Sequence, residues 1–174
     1  MNHHDMTRNM VLAALFAALT AIGAFLQIPT GTVPITLQFL FTALAGLLLG
    51  WKWGAISQLL YVGIGLLGLP VFTQGGGIGY VLQPSFGFLL GLIPAVIGAL
   101  TARRTGYLTV LAAVLVGDLI LYAVGVPYMY LILHVYMQSA KTFSALLAAM
   151  LVYVPGDTLK IIVVTALAPV LRRT

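Results

Sequence analysis

Glutamate and cysteine are both absent from this sequence of 174 residues, and charge of either sign is scarce: eight basic and three acidic side chains make up 6% of it. A water-soluble domain carries about 25% charged residues to keep its surface hydrated. Water is therefore not the main solvent of this chain. The lack of cysteine removes disulfides and thiolate metal sites and, in a membrane protein, says nothing about compartment. What is abundant is apolar, at 61% hydrophobic residues. No charged side chain occurs between Asn9 and Trp51 or between Trp53 and Ala102. A span needs roughly 20 apolar residues, so each run fits two. The composition predicts an all-α integral membrane protein of six short transmembrane helices, forming a single domain over residues 1–174.

A net charge of +5 invites a nucleic-acid reading, but the basic residues form no patch. Arg8 precedes the first span, Lys52 lies between the second and third, Arg103 and Arg104 follow the fourth, and Arg172 and Arg173 end the sequence. With the N-terminus in the cytoplasm, all six fall on the cytoplasmic side, as the positive-inside rule expects. Both termini are therefore expected to be cytoplasmic. A cleaved signal peptide ending near Gly23 and Ala24 would leave an odd number of spans and break this pattern, so the first span is read as retained.

The spans are expected at about 7–27, 36–50, 55–69, 85–101, 107–124 and 143–171. Pro29, Gly31 and Pro34 stop the first. Trp51, Lys52, Trp53 and Gly54 read as an interfacial turn between the second and third. Residues 70–84 are too glycine-rich for a lipid-exposed helix and should form a loop buried in protein or lining a cavity. Gly125 and Pro127 are expected to end the fifth span, leaving 128–141 as an amphipathic outer segment anchored by Lys141. The last span is overlong and carries Pro155, so a kink or a break is expected.

Small residues recur every four positions, at Gly46, Gly50 and Gly54 and at Gly87 and Gly91, a spacing that lets helix backbones approach closely in lipid. Ala13, Ala17 and Ala21, beside Ala14 and Ala18, form a similar stripe. The glycines read as internal packing, whereas the alanine stripe equally suits docking of another membrane subunit.

Titratable groups within hydrocarbon are functional candidates. At 1.5 Å per residue, Lys160 lies about 18 Å and Asp157 about 22 Å above Arg172, and Asp118 about 21 Å above Arg104. All three share one layer, and spacing of three puts Asp157 and Lys160 on one helix face. The alternative is a purely structural ion pair. Pro155 and Gly156 argue for a site, since an opened helical turn offers backbone groups to a polar ligand. Enzyme signatures such as H-E-x-x-H and G-x-S-x-G are missing, and the run Gln74 to Tyr80 lacks the ending of a phosphate-binding loop. His134 stands alone, so no metal and no cofactor is expected.

These motifs resemble the BioY family, the biotin-binding S components of energy-coupling factor (ECF) transporters. The resemblance runs through Ala13 to Ala21, Val33-Pro-Ile-Thr-Leu-Gln38, Gly68-Leu-Pro-Val-Phe72 with Gly75-Gly-Gly77, Pro84-Ser-Phe-Gly87 and Pro155-Gly-Asp-Thr-Leu-Lys160. It implies a non-enzymatic subunit that captures biotin from outside and docks on a T component driven by two cytoplasmic ATPases. It also implies Asp157 and Lys160 as the polar core of the site, with Lys160 meeting the ligand's carboxylate. Thr36, Gln38, Thr73, Gln74, Gly77 and Tyr80 would form walls and lid. The sequence departs at one place. Some members add an asparagine in the glycine-rich loop and an arginine early in the fourth span, and residues 70–102 contain neither. Asp118 or Tyr122 is the expected substitute. An S component for another vitamin and a solitary biotin facilitator remain alternatives, as do an intramembrane enzyme using Asp118 and Asp157 and a purely structural subunit.

Overall fold

The structure, a computed structural model, describes residues 3–30, 33–96 and 106–171. Arg103, Arg104, Arg172, Arg173 and the expected end of the fourth span lie outside the described residues. Helix α1 (His3–Phe25) is followed by two short antiparallel strands, β1 (Gln27–Ile28) and β2 (Ile35–Thr36), with Gln27 opposite Thr36. Then come α2 (Gln38–Leu66), α3 (Phe86–Ala95), α4 (Tyr107–Leu131), α5 (Phe143–Ala149) and α6 (Val154–Leu171). The strands are a refinement of the plain outer loop expected there. With α2 counted as the two helices it is and the bent α5–α6 pair as one span, the described residues form six membrane segments.

Helix α2 reverses at Gly50, whose φ of 78° and ψ of 174° suit glycine alone. Across the reversal Gln38 bonds Tyr61 at 2.7 Å and Thr42 bonds Gln58 at 3.0 Å. Near the turn a Cβ on Gly54 would lie 3.2 Å from the Gly46 backbone. The expected second and third spans are thus a tight helical hairpin. The turn is one residue, Gly50, and Trp51, Lys52, Trp53 and Gly54 already belong to the returning helix. Indoles and a lysine at an interface are as compatible with a helix end as with a loop, which is why they misplace the turn.

The second glycine pair works in the same way. A Cβ on Gly91 would sit 2.9 Å from the Leu121 carbonyl oxygen, and one on Gly117 would sit 2.7 Å from that of Ala95. Helices α3 and α4 therefore touch backbone to backbone. The face of α1 that meets α2 carries Ala13, Phe16, Ala17, Thr20 and Ala24, all buried. Ala13 and Ala17 cannot then belong to a docking face, because they are spent on this internal contact. Ala21 is half-buried, and Ala14 and Ala18 are exposed.

Helix α4 runs on past Gly125 and Pro127 through Leu131 and into a π-helical turn, Ile132–Tyr136. The fifth span is therefore longer than expected, and most of the outer segment is helix. Tyr128 and Met129 supply the reason: Tyr128 packs on Phe86 and donates to the Val81 carbonyl, and Met129 is fully buried. The last span is broken as expected. A 54° bend separates 143–152 from 154–170, and Pro155 occupies the first turn of α6, where its missing N–H is harmless. By length and composition, α1, α2, α4 with its π turn and the bent α5–α6 pair are apolar enough to cross a membrane.

These reversals give the bundle two distinct ends. Gly50 and Lys52 lie at one, together with the start of α1 and the close of α6. The β1–β2 hairpin, the glycine-rich loop and the first turn of α6 meet at the other.

Candidate functional site

A cavity opens at that second end, between the hairpin, the loop, α3, α4 and α6. Its apolar walls include Phe39, Phe88, Leu89, Leu92 and Leu121, and its polar lining comprises Thr36, Gln38, Thr73, Tyr80, Ser85, Tyr122, Tyr153, Asp157 and Lys160. This is the mix expected of a small-molecule site: a greasy cleft with a few polar groups aimed into it.

The charged side comes from α6. Tyr153, at the bend, donates its hydroxyl to the Val33 carbonyl and so ties the hairpin to α6. Helix α6 starts there, with the Asp157 N–H bonding the Tyr153 carbonyl at 3.0 Å. One turn on, Lys160 Nζ donates to Asp157 Oδ1 at 2.6 Å. The other carboxylate oxygen, Oδ2, accepts from the Tyr122 hydroxyl of α4. Asp157 and Lys160 are 6% and 7% exposed, and among the described residues no other charged side chain lines the cavity. The described lining is therefore formally neutral. Lys160 keeps two of its three protons for other acceptors.

Asp118 sits one turn before Tyr122 on α4, within electrostatic reach of Asp157 and Lys160, but does not line the cavity. Its Oδ1 is buried without a hydrogen-bond partner among the described residues.

The glycine-rich loop forms the opposite wall. Gly77, with φ 98°, donates its N–H to the Gly65 carbonyl at 2.7 Å, and Phe72 and Gly75 bond each other's backbone. Phe72 is fully buried against Gly65, where a Cβ would strike its ring at 2.1 Å. So anchored, the loop aims Thr73 and Tyr80 into the cavity with their oxygens 2.9 Å apart, and Tyr80 reaches Ser85 at 3.3 Å. Gln27 Nε2 donates to the Thr73 carbonyl at 3.4 Å and links hairpin to loop.

Seven of the ten expected ligand residues thus line one cavity: Thr36, Gln38, Thr73, Tyr80, Tyr122, Asp157 and Lys160. Gln74, Gly77 and Asp118 do not. Gln74 is exposed because the loop turns its side chain outward, and Gly77 serves by backbone geometry. Gln38 lines the cavity and also braces its wall. Its Oε1 accepts from Thr36 at 2.8 Å and its Nε2 donates to Tyr61, whose hydroxyl donates to Val71 at 3.1 Å. These bonds use one N–H and one lone pair of the amide, and its second N–H stays beside the cavity. Ser85, Phe88 and Tyr153 were not expected in the lining. Ser85 stands just before a helix and Tyr153 one turn before Asp157, spacings that a search from the charged residues outward picks up. Among the described residues no group of three or more potential metal ligands occurs.

A family model described as "BioY family" matches residues 1–174. A "Probable biotin transporter BioY" of Lysinibacillus sphaericus is 51% identical over 148 residues, covering 79% of this chain and 72% of that one. The "Biotin transporter BioY" of Thermotoga maritima is 34% identical over 169 residues, covering 95% and 96%. That of Rhodobacter capsulatus is 39% identical over 170 residues, covering 91% and 90%. Among solved structures, the S-component for biotin from an ECF-type ABC transporter is similar with a TM-score of 0.86 at 28% identity, over 100% of this chain and 95% of that one. From sequence and fold alike, this integral membrane protein belongs to the BioY family.

Proposed function

We propose that this chain is the biotin-binding S component of an ECF-type uptake transporter. The observation that carries the reading is the buried Asp157–Lys160 pair, 2.6 Å apart, with Tyr122 on the second carboxylate oxygen and an apolar cleft beside it. Biotin offers a ureido ring with two N–H donors and one carbonyl, an apolar body and one carboxylate. An acid–base pair presents an acceptor and a donor side by side, which complements a ureido group. A carboxylate fits there less well. Lys160 is already neutralised by Asp157, so a further anion would leave one uncompensated charge out of water, at a cost of several kcal/mol. We therefore place the ureido ring at Asp157, Lys160 and Tyr122.

The positive-inside rule supports a cytoplasmic position for Lys52 and the termini, and hence an outward-facing cavity. The exposed face of α1, where Ala14 and Ala18 lie among Val11, Leu15 and Ile22, is the proposed contact with a T component and through it with two ATPases. Small residues there allow close helix approach. Mass spectrometry of gently purified protein, with competition by other vitamins, tests the ligand. Biotin is the expected co-purifying molecule, and saturable binding of a different vitamin, or of none, would overturn the proposal.

A further inference from the structure

With the ureido ring on the ion pair, the carboxylate has to be held elsewhere, and the described lining offers no second cation. It offers a chain of hydroxyls instead. Thr73, Tyr80 and Ser85 are linked at 2.9 and 3.3 Å, and Tyr80 and Ser85 are 5% and 8% exposed. Three hydroxyls bring three protons, and their two mutual bonds use two. One donor is left over whichever way the chain is oriented. Ser85 also stands at the N-cap of α3 without spending its side chain on the helix backbone. The positive end of the α3 dipole thus lies behind its hydroxyl, a setting that favours an anion. Phe88, Leu89 and Leu92 of the same helix continue the wall with apolar surface, as an alkyl chain requires.

We propose that Thr73, Tyr80 and Ser85 form an oxyanion subsite that holds the carboxylate of the ligand, with Ser85 and the α3 N-terminus as its centre. The inference rests on the biotin reading above and assigns the end of the ligand that reading leaves open. It also accounts for a cavity without an arginine at the start of α3. Hydroxyl donors and a helix end satisfy a carboxylate without bringing a buried cation that would need its own partner when the site is empty.

The test is a cycle between protein and ligand, with biotin and biotinamide titrated calorimetrically into the full chain. Hydrogen bonds to a charged acceptor are roughly twice as strong as neutral ones. Ser85→Ala and Tyr80→Phe should therefore weaken biotin about tenfold, or about 1.4 kcal/mol, and biotinamide no more than about threefold. Lys160→Ala should weaken both ligands alike. Equal losses for both ligands in Ser85→Ala and Tyr80→Phe would reduce the hydroxyls to a structural role and overturn the subsite. So would no loss at all, or a biotin-selective loss in Lys141→Gln instead. Intact binding in Lys160→Ala would refute the parent reading, and the hydroxyl cycle would still report separately on the carboxylate.

Discussion

Among the described residues two buried polar clusters stand apart, and they differ in what their atoms have left to give. In the α1–α2 seam, Thr20, Thr42, Ser57 and Gln58 are all fully buried. Gln58 accepts from Thr42 at 3.0 Å and donates to Thr20 at 3.3 Å and Ser57 at 3.0 Å. Thr20 and Ser57 in turn reach the Phe16 and Gly54 carbonyls at 2.8 and 2.6 Å. That cluster is closed. In the cavity, Lys160 and the Thr73–Tyr80–Ser85 chain keep donors beyond those the protein uses. Where backbone and side chains alike must be satisfied internally, spare donors that face a cavity are what mark a ligand site, and burial or polarity alone does not.

The largest expected effect is at the ion pair. Lys160→Ala strands a buried carboxylate, and removing one partner of such a pair costs about 3–5 kcal/mol of stability. Biotin binding should fall at least about tenfold, or 1.4 kcal/mol. Asp157→Leu combined with Lys160→Met separates the two roles, because a matched apolar replacement is often neutral or stabilising. With Tyr122→Phe added, so that the hydroxyl bonded to Asp157 is not stranded, the variant should unfold at or above the wild-type temperature and bind no biotin. Near-normal binding in it would place the pair outside the site.

Loop placement comes next. A Cβ on Gly76 would lie 2.1 Å from the Leu69 carbonyl oxygen, a backbone atom that cannot move cheaply, whereas a Cβ on Gly63 meets nothing within 4 Å. Gly76→Ala should displace the loop that carries Thr73 and Tyr80 and weaken biotin about tenfold, or 1.4 kcal/mol. Gly63→Ala, inside a helix, should be neutral or gain up to about 1 kcal/mol of stability. Equal affinities in the two variants would show that the loop does not shape the cavity.

The two faces of α1 give a third contrast. Ala13 is fully buried and Ala18 is exposed. Ala13→Trp should prevent folding of the bundle. Ala14→Trp and Ala18→Trp should leave biotin binding by the isolated chain intact and lower uptake by the assembled transporter. A joint fall of binding and uptake would make that face internal as well.

Much of this was legible before any coordinates. Charge scarcity announced the membrane helices, and the shared depth of Asp157 and Lys160 announced the pair. The glycine spacing announced two close-packed seams, because four-residue periodicity has one geometric meaning in a helix. Other features depend on atoms distant in sequence. Whether Pro127 ends a helix is decided by what Tyr128 and Met129 pack against. Whether Ala13 or Ala14 is outside is decided by the rotation of α1 on α2. Gln38 entered through the family resemblance, and only the positions of Thr36 and Tyr61 reveal that its amide also braces the hairpin. Ser85 and Tyr153 are unremarkable singly and acquire meaning from their neighbours.

The smallest expected effect is the sharpest test of the distinction between closed and open clusters. Gln58→Leu removes the centre of the α1–α2 seam with an apolar side chain of similar size. It strands no donor, since Thr20, Thr42 and Ser57 keep the Phe16, Gln38 and Gly54 carbonyls at 2.8, 3.0 and 2.6 Å. Interhelical side-chain hydrogen bonds in membrane proteins average about 0.6 kcal/mol, so a loss of roughly 1 kcal/mol in unfolding free energy is expected. Biotin affinity should stay within about twofold of wild type, under 0.5 kcal/mol. Tyr80→Phe removes a single oxygen and should show the reverse pattern, with little stability lost and affinity clearly reduced. If Gln58→Leu weakened biotin as much as Tyr80→Phe, the seam would be acting on the cavity through Thr42 and Gln38, and the two clusters would have to be treated as one.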